Sequence, residues 1–285
     1  MKQLFFGLAL MASALQAQAT DRISIIAAEN FYGDVAQQIA GPDADVSSIL
    51  NNPDQDPHQF EVSPSVARSL SNASLVIYNG IGYDPWIEQL LSAAPRPDRT
   101  AIVVADLAGK HDGENPHVWY STDAISALAN ALAAQLCARD PLHASDYRAR
   151  LSVFLRSLDP IAVQVAGLRT RFPTFAVTAT EPVYGYALQT LGADVRNQRF
   201  QLSVMNETEP RASDVAAFQD DLENHRVKAL VYNQQTTSPL AERMLAIARQ
   251  SGVPSVAVTE MPPAGLTYQA WLLRSLDALQ EALEK

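Results

Sequence analysis

The chain is nearly without cysteine: Cys137 is the single one in 285 residues. One thiol cannot close an internal disulfide. It sits in the apolar helical pattern Ala131-Leu132-Ala133-Ala134-Gln135-Leu136-Cys137 and reads as a small buried hydrophobe. Basic residues are also short, 21 Lys and Arg against 31 Asp and Glu, for a net charge of −10. A phosphate backbone needs a basic face, so no nucleic-acid partner is expected. An acidic surface suits a binder of cations. Long apolar runs are missing beyond the first 19 residues, and no later stretch approaches a transmembrane length. Low-complexity tracts, His-rich runs and an H-E-x-x-H motif are absent too. With no general base paired to a nucleophile either, an enzyme is not expected.

The N-terminus has Lys2 as a positive region, Leu4 to Leu15 as a short apolar run, and Ala17-Gln18-Ala19 as an A-x-A cleavage site. This is the pattern of a cleavable secretory signal, residues 1–19, too short to span a bilayer. The mature chain is expected to begin at Thr20, and loss of Lys2 takes its charge to −11, one below the −10 of the full chain. No cysteine stands at the cleavage site, so the expectation is an unanchored periplasmic protein and not a lipoprotein.

Hydrophobic residues make up 47% of the chain, enough for a sizeable core in one large or two medium domains. Apolar, β-branched runs at 22–28, 46–50, 75–79 and 101–105 read as strands, and helical patterns separate them. Continuous apolar strands alternating with helices mean a parallel sheet covered on both faces. Helical spacing continues over 122–138, then over a long segment at 144–171 interrupted by Pro160, where a kink is expected. About 25 helical residues would span roughly 37 Å, enough to run the length of a two-domain protein. The alternation then restarts, with strands at 174–178, 229–232 and 255–258 and helices at 183–191, 213–225, 239–251 and 266–283. Residues 193–205 read as extended. No convincing sequence repeat is visible, but the order of elements repeats. The expected architecture is α/β: an N-terminal lobe at 20–143, a linking helix at 144–171 and a similar C-terminal lobe at 172–285.

Asp56-Pro57-His58-Gln59-Phe60-Glu61 follows the second strand, and Asn115-Pro116-His117-Val118-Trp119 repeats the Pro-His pair. Proline fixes the backbone ahead of each imidazole. Open α/β sheets place their ligand sites at the C-terminal ends of strands. In the second lobe, Thr180-Glu181-Pro182 and Thr259-Glu260-Met261 each put a carboxylate just past a strand end. Facing lobes would bring His58, His117, Glu181 and Glu260 to one cleft. Two nitrogens and up to four oxygens suit Mn²⁺, Fe²⁺ or Zn²⁺, and an oxygen-rich set tilts toward Mn²⁺. Such a full set leaves little room for the open position a catalytic metal needs. A periplasmic metallohydrolase and a metal-independent adhesin or interaction module remain the rival readings. Asp123 and Glu61 lie near the ligand motifs and are expected to orient an imidazole through its second nitrogen. Trp119 and Tyr184 are expected to wall the cleft or pack in the core. His111, His143 and His225 read as surface residues.

These motifs, with Phe31-Tyr32-Gly33-Asp34, Val76-Ile77-Tyr78-Asn79-Gly80, Tyr184-Gly185-Tyr186 and Leu266-Thr267-Tyr268, occur in order over essentially the whole mature chain. In them the chain resembles the zinc/manganese-type substrate-binding proteins of bacterial ABC importers. The resemblance implies two α/β lobes on a rigid helix and a buried divalent metal as transported cargo. It implies ligands at His58, His117, Glu181 and Glu260, a membrane permease as partner, and small lobe shifts on loading. The protein is expected to be a monomer. Two positions depart from the zinc pattern. Histidine is typical of zinc members at the third position and glutamate of manganese members; here it is Glu181. The fourth is usually aspartate; here it is Glu260, one methylene longer. The loop Lys110-His111-Asp112-Gly113-Glu114 is also short, with one histidine where zinc members often carry a His-rich loop.

Overall fold

A computed structural model describes residues 22–52, 60–235 and 238–285. The expected signal segment and His58 lie outside the described residues. The chain runs β1 (Ile23–Glu29), α1 (Asn30–Ala40), β2 (Ala44–Leu50), α2 (Pro64–Asn72), β3 (Leu75–Tyr78), α3 (Pro85–Ala93), β4 (Thr100–Val103), α4 (Val104–Leu107) and α5 (Thr122–Arg139). Two helices follow end to end, α6 (Ala144–Ser157) and α7 (Asp159–Arg171). Then come β5 (Ala176–Ala179), α8 (Gly185–Leu191), β6 (Asp194–Arg196), α9 (Gln198–Met205), α10 (Ala212–Glu223), β7 (Ala229–Asn233), α11 (Pro239–Ser251), β8 (Ser255–Val258) and α12 (Tyr268–Leu283).

The strands form two parallel four-stranded sheets, ordered β2-β1-β3-β4 and β6-β5-β7-β8. Every strand in a lobe therefore ends at the same edge, and the loops there can share one cleft. Several helices start as their sequence dictates. Ser63, Ser121, Ser238 and Thr267 each accept a bond from a first-turn amide of α2, α5, α11 and α12. Such side chains satisfy donors the helix itself cannot.

The register exposes a short echo. Ala27 pairs with Ile77 in one sheet and Ala179 with Val231 in the other. Ile77-Tyr78-Asn79 thereby matches Val231-Tyr232-Asn233, and Glu29 matches Glu181.

The stretch expected to be extended holds a strand of only three residues before α9. Asn197 causes the difference. It adopts a left-handed φ of 58°, and its amide donates to Thr178 Oγ1 at 3.2 Å and Asp221 Oδ2 at 2.9 Å, turning the chain into a helix. Phe200 then packs on Phe218 with ring centroids 4.6 Å apart. Cys137 is only half-buried.

The linking helix bends where proline interrupts the pattern. Leu158 keeps helical dihedrals between α6 and α7, and Pro160 occupies the first turn of α7, where its missing N–H costs nothing. By length and composition the continuous segment Pro141–Arg171 could cross a membrane. Tyr147, Phe154, Leu158, Ile161 and Leu168 are buried in the core, while Leu142, Val153 and Val163 are exposed.

That core is continuous across both lobes. Phe31 of α1 lies 5.0 Å from the Trp119 ring and 5.8 Å from Trp271 of α12. The Tyr268 hydroxyl donates to Trp119 O at 2.7 Å, and the Tyr268 amide donates to Asp34 Oδ2 at 2.8 Å. The last helix thus clamps the first lobe. Burying one such aromatic contributes on the order of 1.5–3 kcal/mol.

Candidate metal centre

Glu181 lies two residues past β5 and Glu260 two residues past β8, at the edge where the strands end. Their side chains are brought together by Asn233, the last residue of β7. Its Nδ2 donates to Glu260 Oε1 at 2.6 Å and to Glu181 Oε2 at 3.3 Å. All three residues are buried. Gln235 fixes the Glu260 turn, its Oε1 accepting from the amides of Glu260 at 2.6 Å and Met261 at 2.9 Å.

The first lobe reaches the same place. Tyr83, in the turn after β3, donates its hydroxyl to Glu260 Oε2 at 2.8 Å. The Tyr83 ring lies edge-on to the His117 imidazole, centroids 6.2 Å apart. Trp119 packs 5.0 Å from the same imidazole and is fully buried, so it walls the site and belongs to the core at once. Tyr184 is turned away, its ring on Tyr120 at 4.8 Å. The turn holding Tyr83 depends on Gly80, whose φ is +82° and where a Cβ would lie 2.5 Å from Val103 Cγ1.

His117 is completely buried. Its Nδ1 meets Asn115 Oδ1 at 2.5 Å, and its own amide donates to the same oxygen at 3.1 Å. The expected orienting carboxylates do not do this: Asp123 and Glu61 are both exposed. Asn115, two residues away in the same Pro-His motif, takes the role, because a local turn brings it closer than any residue on the next helix. His111 and His225 are exposed, while His143 is tied at the surface to Asp140 at 2.6 Å.

Beneath the cleft lies a feature that sequence reading missed. Glu29, at the end of β1, is fully buried, and among the described residues its carboxyl oxygens have no side-chain donor. Burial, then the nearby Asp84, drives its pKa well above the usual carboxylate range. Asp84 is held by the amides of Asn79 at 2.6 Å and Gly80 at 2.8 Å. Burial still pushes Asp84 up to about 6, against those bonds. Both shifts favour the protonated carboxyl, so the pair holds its protons more tightly than free carboxylates do. Glu29 ending an ordinary apolar strand was the available signal.

Among the described residues no group of three or more His, Cys, Asp and Glu side chains stands ready to hold a metal. Of the four expected ligands, Glu181 and Glu260 meet at Asn233, His117 joins them through Tyr83, and His58 is outside the described residues.

Two parallel-sheet lobes on a bent helix thus carry two buried carboxylates and a buried imidazole where their strands end. The chain belongs to the family described as "Zinc-uptake complex component A periplasmic", which matches residues 25–282. It is 21% identical, over 99% of this chain and 95% of the relative, to the "Iron ABC transporter substrate-binding lipoprotein MtsA" of Streptococcus pyogenes serotype M1. It is 22% identical, over 93% and 90%, to the "Manganese ABC transporter substrate-binding lipoprotein PsaA" of Streptococcus pneumoniae serotype 4. The same fold occurs in the periplasmic zinc binding protein TroA from Treponema pallidum, with a TM-score of 0.77 and 19% identity over 92% of this chain and 99% of that one. It also occurs in FpvC from Pseudomonas aeruginosa in complex with Mn²⁺, at 0.74 and 21% over 92% and 98%. As members of importers, proteins of this family work with a membrane permease.

Proposed function

We propose that the protein captures one divalent metal ion with His58, His117, Glu181 and Glu260 and delivers it to its permease as an unanchored periplasmic monomer. The division of labour is a first lobe at 20–143 giving two imidazoles, a linking helix at 144–171 and a second lobe at 172–285 giving two carboxylates. The observation that carries this reading is the Asn233 amide, which gathers Glu181 and Glu260 in a buried pocket. Two buried carboxylates gathered on one amide repel each other, and a divalent cation relieves that repulsion.

The oxygen-rich set favours Mn²⁺ or Fe²⁺. The named cargo of the relatives includes manganese and iron, and that of the structural neighbours includes zinc and manganese. Zn²⁺ is the serious competitor, since it binds most N/O sites more tightly than Mn²⁺. Four protein ligands and no catalytic base argue for carriage without chemistry.

The test is metal content of protein purified from its native compartment, followed by thermal shift with Mn²⁺, Fe²⁺ and Zn²⁺. One equivalent of manganese or iron, lost in H58A, H117A, E181A and E260A, is the expected result. One equivalent of zinc with the same mutant behaviour would keep the transport role and overturn the metal preference. No metal and no shift would remove the site.

A further inference from the structure

Asn115 touches both lobes. Its Oδ1 accepts from the His117 amide at 3.1 Å and faces His117 Nδ1 at 2.5 Å. Its Nδ2 donates to Pro182 O at 2.7 Å, and Pro182 directly follows Glu181. Its backbone carbonyl accepts from the Tyr186 hydroxyl at 2.7 Å. The contact is tight: a Cβ at Gly185 would lie 2.7 Å from Asn115 Nδ2.

These partners fix the orientation of the amide. A backbone N–H needs an acceptor and a backbone C=O needs a donor, so the oxygen faces His117 and the nitrogen faces Pro182. The facing imidazole nitrogen, Nδ1, must then carry the proton, which leaves the Nε2 lone pair as the one able to bind a metal. Only an uncharged amide does both jobs. Aspartate would orient the imidazole but turn an oxygen against the Pro182 carbonyl. Alanine would do neither.

We propose that Asn115 is a positioning residue that sets the His117 tautomer and, through the same planar group, straps it to the Glu181 turn of the opposite lobe. This rests on the ligand reading above. A shift at His117 on loading is transmitted to residues 181–186 without any hinge. Conversely, disturbance of the Glu181 turn loosens His117, which gives the membrane partner a route to release the ion by acting on one lobe only.

The experiment compares the wild-type mature protein with N115A, N115D and H117A, using Mn²⁺ and Zn²⁺ alone as probes. In metal-free protein, long-range proton–nitrogen spectra of the imidazole read the tautomer, and hydrogen exchange at 183–187 reads the strap. N115A is expected to lose the Nδ1-protonated signature, to exchange faster at 183–187 and to bind about 10–100-fold more weakly. N115D is expected to keep the signature while exchanging as fast as N115A. An N115A protein with wild-type tautomer and affinity would overturn the orienting role. Wild-type exchange in N115D would overturn the strap. Wild-type affinity in H117A would instead bring down the ligand assignment, and the tautomer and exchange readings, which need no metal, would still decide the rest.

Discussion

Tyr83 and Glu260 are joined by a 2.8 Å hydrogen bond that crosses from one lobe to the other. With Asn233 on the second oxygen at 2.6 Å, both oxygens of the Glu260 carboxylate have a neutral donor. Under the proposed ligand set, an arriving metal would take over a carboxylate already aimed by these two donors.

Removal of the Tyr83 hydroxyl in Y83F leaves a buried charge with one donor fewer. Hydrogen bonds to charged groups are worth about 1.5–3 kcal/mol. The metal-free protein should melt roughly 3–10 °C lower, and saturating metal should recover most of the loss, since the ion then compensates Glu260. Calorimetry with and without metal checks this; an equal loss in both states would mean that the hydroxyl serves only packing.

The Glu29–Asp84 pair gives stability a pH dependence of defined sign. Burial pushes Asp84 up to about 6 in the folded protein from the usual aspartate value when unfolded, and it raises Glu29 well above the usual carboxylate range. The folded state therefore holds more protons above pH ~4. Stability is highest below that value and falls as pH rises through about 6, by roughly 3 kcal/mol for Asp84 alone. In E29Q, which can still donate to Asp84, the melting temperature of chelator-treated protein should decline less steeply between pH 4 and 8 than in wild type. An equal or steeper decline would contradict a raised Glu29 carboxyl.

Glu181 should govern metal choice. E181H exchanges an oxygen donor for nitrogen, and imidazole suits Zn²⁺ better than it suits the harder Mn²⁺. Competition titrations should show the Zn²⁺-to-Mn²⁺ affinity ratio rising at least tenfold. An unchanged ratio would remove Glu181 from the coordination sphere.

One core spanning both lobes predicts one unfolding transition. F31A, at the junction of Trp119 and Trp271, should destabilise the whole protein by about 3–5 kcal/mol. Two resolved calorimetric peaks in wild type, only one of them shifted by F31A, would show that the lobes fold separately.

The lobes, the order of elements and the bend near Pro160 were legible because apolar periodicity and proline act locally. Glu181 and Glu260 could be singled out because a carboxylate just past an apolar strand marks the ligand-bearing edge of a parallel sheet. Asn233 and Tyr83 were not legible: the role of Asn233 depends on which strands neighbour each other, and that of Tyr83 on its meeting with Glu260, 177 residues further along the chain. Asn115 was overlooked in favour of Asp123 because charge draws attention before geometry does. The α9 helix was missed because it starts from a left-handed Asn197, held by partners on β5 and α10 that no local pattern announces.

The aromatic bridge from Trp119 through Phe31 to Trp271 means that the two halves cannot gape like jaws without exposing their shared interior. Empty and filled protein must then show the permease nearly the same silhouette. Under the proposed function, recognition of the filled form would then rest on local differences at the cleft and not on outline.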